Sequence, residues 1–206
     1  MSSSKVKILG KNFTTFQHFR FGHQYPITSI DALYKERALT SGGVDRTLRV
    51  WKIVDESQLV YSGHIGSIDC VRYVNEEVLL TCGDDGSLCV WSLSKKKPVA
   101  EHKLAHGLSS SGVPNWISSI ATLANSDLIA SGSCDGFIRV WSLGKSYREI
   151  KLKFEIPAMG FVNSLVFTNN GASLIAGIGQ EHRLGRWWRL KEAKNVIQVI
   201  PFQSKE

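Results

Sequence analysis

The chain has 206 residues, 43% apolar and 21% charged, a balance that suits a folded globular chain and excludes low-complexity disorder. Its net charge of +7, from 25 basic against 18 acidic residues, is compatible with nucleic acid or an acidic partner and establishes neither. No apolar run approaches the roughly 20 residues of a membrane helix, and no apolar stretch follows the lysine of Met1-Ser-Ser-Ser-Lys5, so no secretory signal is read there.

Taken in order, residues 4–9 alternate polar and apolar, and residues 13–20 form a second such run rich in Phe. They are predicted to be the last two strands of a sheet whose first two are missing. Strands are then predicted at 27–33, 36–41, 47–53 and 57–61, and again at 67–73, 77–82, 87–93 and 97–103. The turn Lys95-Lys96-Lys97-Pro98 reads as an import signal, a phosphate-binding patch or a solvated loop. Residues 107–115 are small and flexible, which marks a surface loop inserted into the third unit. Trp116 follows it, placed either to stack on a base or partner or to fold back on its own unit. In the fourth unit Phe161–Phe167 and Ser173–Gly177 are strand runs, and residues 195–202 supply a last strand with Pro201 near its end, as an edge permits.

Polar punctuation recurs across these runs. Gly22-His23, Ser41, Asp45 and Trp51 are followed by Gly63-His64, Thr81, Asp85 and Trp91, and then by His106, Ser131, Asp135 and Trp141. Hydroxyl to aspartate is four residues and aspartate to tryptophan six in every copy, and Trp51 to Trp91 is 40 residues, the period of a propeller blade. An imidazole, a hydroxyl, a carboxylate and an indole at such spacing supply each donor with an acceptor, so His23, His64 and His106 are expected to be structural. The fourth unit breaks the pattern. Gly177 or Ile178 stands at the hydroxyl position and Glu181 or His182 at the aspartate position, so no such cluster is expected there. Of Trp187 and Trp188, matching Leu190 to Ile53 favours Trp188 for the structural place.

These residues resemble the WD-repeat family, although Lys52, Ser92 and Ser142 rather than Asp follow the tryptophans. The resemblance implies an all-β propeller: a half blade (1–21), then four full four-stranded blades at 22–61, 62–103, 104–155 with the inserted loop, and 156–206. Repeats of this length ordinarily close as seven, so an incomplete part of a seven-bladed ring with apolar end faces is expected. The run Ile178-Gly-Gln-Glu-His-Arg-Leu-Gly-Arg-Trp-Trp-Arg-Leu-Lys-Glu-Ala193 is similar to the closing repeat of the WD-repeat subunit of the U-three small nucleolar ribonucleoprotein. Gly66–Cys70, Ser92–Lys97 and Ala105–Gly107 share that likeness, which extends from Phe21 to Phe202. It implies a nucleolar, non-enzymatic subunit that associates with U-three small nucleolar RNA, with box C/D proteins and with the small-subunit processome, and that acts in ribosomal RNA processing.

The residues themselves show no Gly-x-x-x-x-Gly-Lys, Gly-x-Ser-x-Gly or His-Glu-x-x-His motif. A binding scaffold is therefore expected, with no catalytic residue, cofactor, metal, membrane or small-molecule substrate. Cys70, Cys82, Cys89 and Cys134 show no Cys-x-x-Cys spacing and read as reduced core thiols. His102 and His106 are four apart, which suits a metal pair on a helix, whereas the segment reads as a strand. The candidate binding residues are His182, Arg183, Arg186, Arg189 and Lys191, interleaved with two indoles; Arg46 and Arg37 are possible extensions. Guanidinium forks beside aromatic faces suit phosphates and unstacked bases; the same alternation also fits arginines that merely point to solvent. A protein-only adaptor, such as a ubiquitin-ligase substrate receptor, is the rival reading. It favours Trp-Asp-x-Arg, and none of Trp51, Trp91, Trp141 or Trp188 is followed by Asp.

Overall fold

The computed structural model describes residues 5–8, 18–33 and 37–202; residues 13–17 of the second predicted strand lie outside these. Strands β1 (Lys5–Ile8) and β2 (His18–Phe21) pair antiparallel as a two-stranded sheet. Three antiparallel four-stranded sheets follow, each a meander. The first is β3 (Ser29–Leu33), β4 (Arg37–Ser41), β5 (Thr47–Lys52) and β6 (Ser57–Ser62). The second is β7 (Ile68–Tyr73), β8 (Val78–Gly83), β9 (Leu88–Ser92) and β10 (Ala100–His102). The third is β11 (Ser119–Thr122), β12 (Leu128–Gly132), β13 (Phe137–Leu143) and β14 (Ile150–Pro157). Strand β10 starts later than expected because Pro98 has no N–H for the ladder.

The period-2 alternation of the sequence sends side chains to both faces of each sheet, and both faces are apolar because each sheet packs on a neighbour. Leu39, Leu48, Val50 and Tyr61 of the first sheet meet Val71, Tyr73, Leu79, Cys89 and Trp91 of the second. Val78, Leu80, Cys82, Leu88 and Val90 on its other face meet Ile120, Ile129, Trp141 and Leu143 of the third. Burying one such side chain stabilises by about 1.5–3 kcal/mol. Hydroxyls stitch the innermost strands together: Thr28 Oγ1 donates to the Ile68 carbonyl at 2.6 Å, and Thr122 Oγ1 to the Tyr73 carbonyl at 2.6 Å. The inserted loop closes on itself through a bridge between Leu108 and Pro114.

The fourth unit differs from the four-stranded blade expected of it. Strands β15 (Phe161–Phe167) and β16 (Ser173–Gly179) pair as predicted, but the strand that pairs next with β16 is β19 (Val196–Pro201). The run expected to be the third strand is instead a separate hairpin, β17 (Glu181–His182) with β18 (Gly185–Arg189). Residues 195–202 thus supply the third strand, and the sheet has three strands. One face packs Val162, Leu165, Leu174 and Ala176 on Ala121, Ala130, Ile138 and Val140 of the third sheet. The opposite face carries Val166, Ile197 and Val199 exposed, an apolar end face of the expected kind.

Candidate nucleic-acid interface

The polar corners assemble in three blades. In the second, His64 Nδ1 lies 3.0 Å from Asp85 and Nε2 2.7 Å from Thr81 Oγ1, which also accepts the Trp91 indole N–H at 2.8 Å. In the third, His106 spans Asp135 at 2.9 Å and Ser131 at 2.8 Å, and Trp141 donates to Ser131 at 2.8 Å. In the first, His23 meets Asp45 at 2.7 Å, but the hydroxyl is Thr40, not Ser41: Nε2 lies 2.8 Å from Thr40 Oγ1 and Trp51 donates to it at 2.7 Å. The turn Gly42-Gly43-Val44 is one residue longer than its counterpart, so fixed spacing from Asp45 lands one residue late. Ser41 instead bonds Thr28 Oγ1 at 2.8 Å. Burial alone would raise Asp45, Asp85 and Asp135. Hydrogen bonds from imidazole and neighbouring N–H and O–H groups outweigh it and hold all three below the usual carboxylate range.

The hairpin β17–β18 is held by groups that sequence spacing does not reveal. Asn163 sits at the register shift of β15; its amide donates to the Glu181 carbonyl at 2.8 Å and accepts the Arg183 N–H at 2.9 Å. Gln180 Nε2 donates to the Ala193 carbonyl at 2.7 Å. His182, a candidate for binding, is 4% exposed, buried beneath the hairpin. Its ring stacks on Trp116 at 4.1 Å and meets Phe161 edge-on at 5.7 Å. Nδ1 accepts the Leu184 N–H at 3.2 Å, while Nε2 is buried without a hydrogen-bond partner. Burial and then Arg183 push its pKa down to about 4.

Arg183 also has an internal task. Its guanidinium donates to the carbonyls of Ser118 at 3.1 Å, Thr28 at 3.5 Å and Asp69 at 2.5 Å, all at the leading ends of innermost strands. Trp116 turns away from its own blade: its indole N–H donates to the buried Asp69 carboxylate of the second blade. Burial pushes Asp69 up to about 6, against the hydrogen bonds from Trp116 and Ser67.

What remains outward is Arg186, Arg189 and Lys191. The Arg186 side chain is 90% exposed and Arg189 55% exposed, held by Glu181 at 3.3 and 4.0 Å. Trp188, favoured for the structural place, is 37% exposed and sits edge-on to Phe161 at 5.1 Å, whereas Trp187 is 66% exposed. Neither fills the indole position of a corner, because the hairpin lies outside the sheet. Arg46 donates to the Ile65 carbonyl at 3.1 Å. Arg37 begins β4, and so lies at the end of the strands away from the hairpin. Among the described residues no group of His, Cys, Asp and Glu could hold a metal ion; His102 packs on Trp141 at 4.9 Å, and Cys70, Cys82, Cys89 and Cys134 are free thiols.

Residues 13–52, 55–92 and 103–142 match the WD domain, G-beta repeat. With meander sheets packed face to face and locked by polar corners, the chain belongs to the WD-repeat family and forms part of a β-propeller. It is 52% identical over 151 residues to the human U3 small nucleolar RNA-interacting protein 2, covering 72% of this chain and 32% of that protein. It is 41% identical over 207 residues to the U3 snoRNP-associated protein-like EMB2271 of Arabidopsis thaliana, covering 96% and 43%. A solved structure of RRP9 WD40 repeats superposes with a TM-score of 0.94 at 48% identity, covering 97% of this chain and 61% of that one. The particular likeness is therefore to the WD-repeat subunit of the U3 small nucleolar ribonucleoprotein. The chain spans less than half the length of these curated relatives.

Proposed function

We propose that this chain is a non-enzymatic RNA- and protein-binding scaffold of the U3 box C/D small nucleolar ribonucleoprotein. Its partners are the U3 RNA, the box C/D proteins and the small-subunit processome, and it acts in the nucleolus in ribosomal RNA processing and small-subunit biogenesis. The observation that carries the reading is the position of the hairpin. The fourth unit departs from the repeat to present Arg186, Arg189 and Lys191 beside an exposed indole.

Guanidinium forks bind phosphate oxygens in pairs; the present partner of Arg186 is the Glu181 carboxylate, and Arg189 donates to Gln180 Oε1 at 2.9 Å with Glu181 at 4.0 Å. Such surface pairs contribute only about 0–1 kcal/mol, so a phosphate displaces Glu181 at little cost. Arg183 and His182 serve the hairpin instead, which narrows the binding set to Arg186, Arg189 and Lys191. Crosslinking the chain to RNA in cells and sequencing what is attached tests the reading. Enrichment of U3 RNA is expected, reduced when Arg186, Arg189 and Lys191 are replaced by Glu; recovery of no RNA above background would overturn it.

A further inference from the structure

Trp187 is mostly exposed, yet its ring is placed. Gly185 lies beneath it: a Cβ there would stand 1.7 Å from an indole carbon, so only glycine leaves this room. The Trp187 ring lies at 23° to that of Trp116, with centroids 6.5 Å apart, and 6.0 Å from that of His182. Those two are stacked on one another, and Trp116 is anchored to the buried Asp69. A large apolar ring with its orientation preset and its surface in water gains little from burial. It suits a stacking platform whose ordering cost is already met in the free protein.

The charge around it selects the ligand. Arg186 adjoins it in sequence, Arg189 and Lys191 follow, and Glu181 and Glu192 are the nearby acids in the sequence run. An indole stacks on a base only where the base is unpaired, since a duplex hides both faces of its bases. We propose that Trp187 stacks one unpaired base of an RNA while Arg186 takes an adjacent phosphate. This rests on the RNA reading above and names its substrate as single-stranded or bulged RNA rather than uninterrupted duplex.

The test titrates the whole chain with a short oligoadenylate and with the matching adenylate–uridylate duplex, following tryptophan emission and affinity. The single strand is expected to quench emission and to bind more tightly than the duplex. Trp187→Ala is expected to weaken it about tenfold, within the range found for removing one base–aromatic stack, with the salt slope kept; Trp187→Phe should recover part of the loss. Unchanged circular dichroism shows that the variants fold. If Trp187→Ala binds like the parent while Arg186→Glu with Arg189→Glu loses affinity, the stacking proposal is overturned and the RNA reading stands. If no form binds RNA, both fall. If Trp187→Ala loses a protein component of the particle with RNA affinity untouched, the indole is a protein platform and the proposal is wrong.

Discussion

The Arg183 guanidinium donates to the backbone carbonyl of Asp69 at 2.5 Å, although the two residues are 114 apart in the chain. With the Ser118 and Thr28 carbonyls also bound, one side chain ties the hairpin of the fourth unit to the other three blades. Arg183→Ala is expected to cost roughly 1–3 kcal/mol, because carbonyls lose a charged donor. Arg183→Lys should restore only part, since an ammonium cannot fork across several acceptors. Urea unfolding measures both; a midpoint unchanged in Arg183→Ala would show that the hairpin docks without it.

Thr40 and Ser41 offer a direct comparison of neighbours. Thr40→Val strands the His23 imidazole and the Trp51 indole N–H in a buried site, at roughly 1–3 kcal/mol. Ser41→Ala leaves Thr28 Oγ1 with its bond to the Ile68 carbonyl, so a loss below about 1 kcal/mol is expected. Thermal unfolding of the two variants ranks them, and the reverse order would contradict the assignment.

Gly83→Ala is expected to be among the most damaging small changes. The added Cβ would stand 1.8 Å from the Ser67 carbonyl oxygen, which is backbone and cannot rotate away. Overpacking of this kind costs about 1–3 kcal/mol, and chemical denaturation should show it as a lowered midpoint with an unchanged slope.

Two buried groups under the hairpin oppose one another in acid. His182 is held at about 4 against an ordinary 6.5, so the stability it permits is full above about 6.5 and is lost as pH falls toward 4. Asp69 is held at about 6 against an ordinary 3.8. It takes up a proton in the folded state first, and stability is gained as pH falls from about 6 toward 4. Asp69→Asn should therefore steepen the acid loss between pH 6.5 and 4, and His182→Phe should make it shallower, with the other buried imidazoles His23 and His106, also held below 6.5, contributing the same loss to both variants. Urea midpoints across that range decide; identical profiles in both variants would refute the pairing.

The legible parts of the molecule were those set by local spacing. His64, Thr81, Asp85 and Trp91 repeat in the third blade at His106, Ser131, Asp135 and Trp141 because meander turns of equal length put the same atoms together. Ser41 misled because one extra residue in the preceding turn shifts the hydroxyl by one place. The hairpin was misread as a strand of the sheet because period-2 alternation is the same in a ladder strand and in an insertion beside it. Asn163 and Asp69 carry no signal in the spacing, and Arg183 stands out there only as a candidate for binding, not for the internal bonds it makes. Their partners are backbone carbonyls, amides and an indole brought from other blades, and a carbonyl looks alike at every residue.

The central claim, that the exposed arginines of the hairpin hold RNA, is tested most directly by the dependence of RNA affinity on salt. For the parent chain, log affinity should fall linearly with log salt, and replacing Arg186 and Arg189 by Glu should lower affinity. Each lost phosphate contact should flatten the slope by about 0.7 for a single strand. An affinity and slope equal to the parent's in that double variant would contradict the claim.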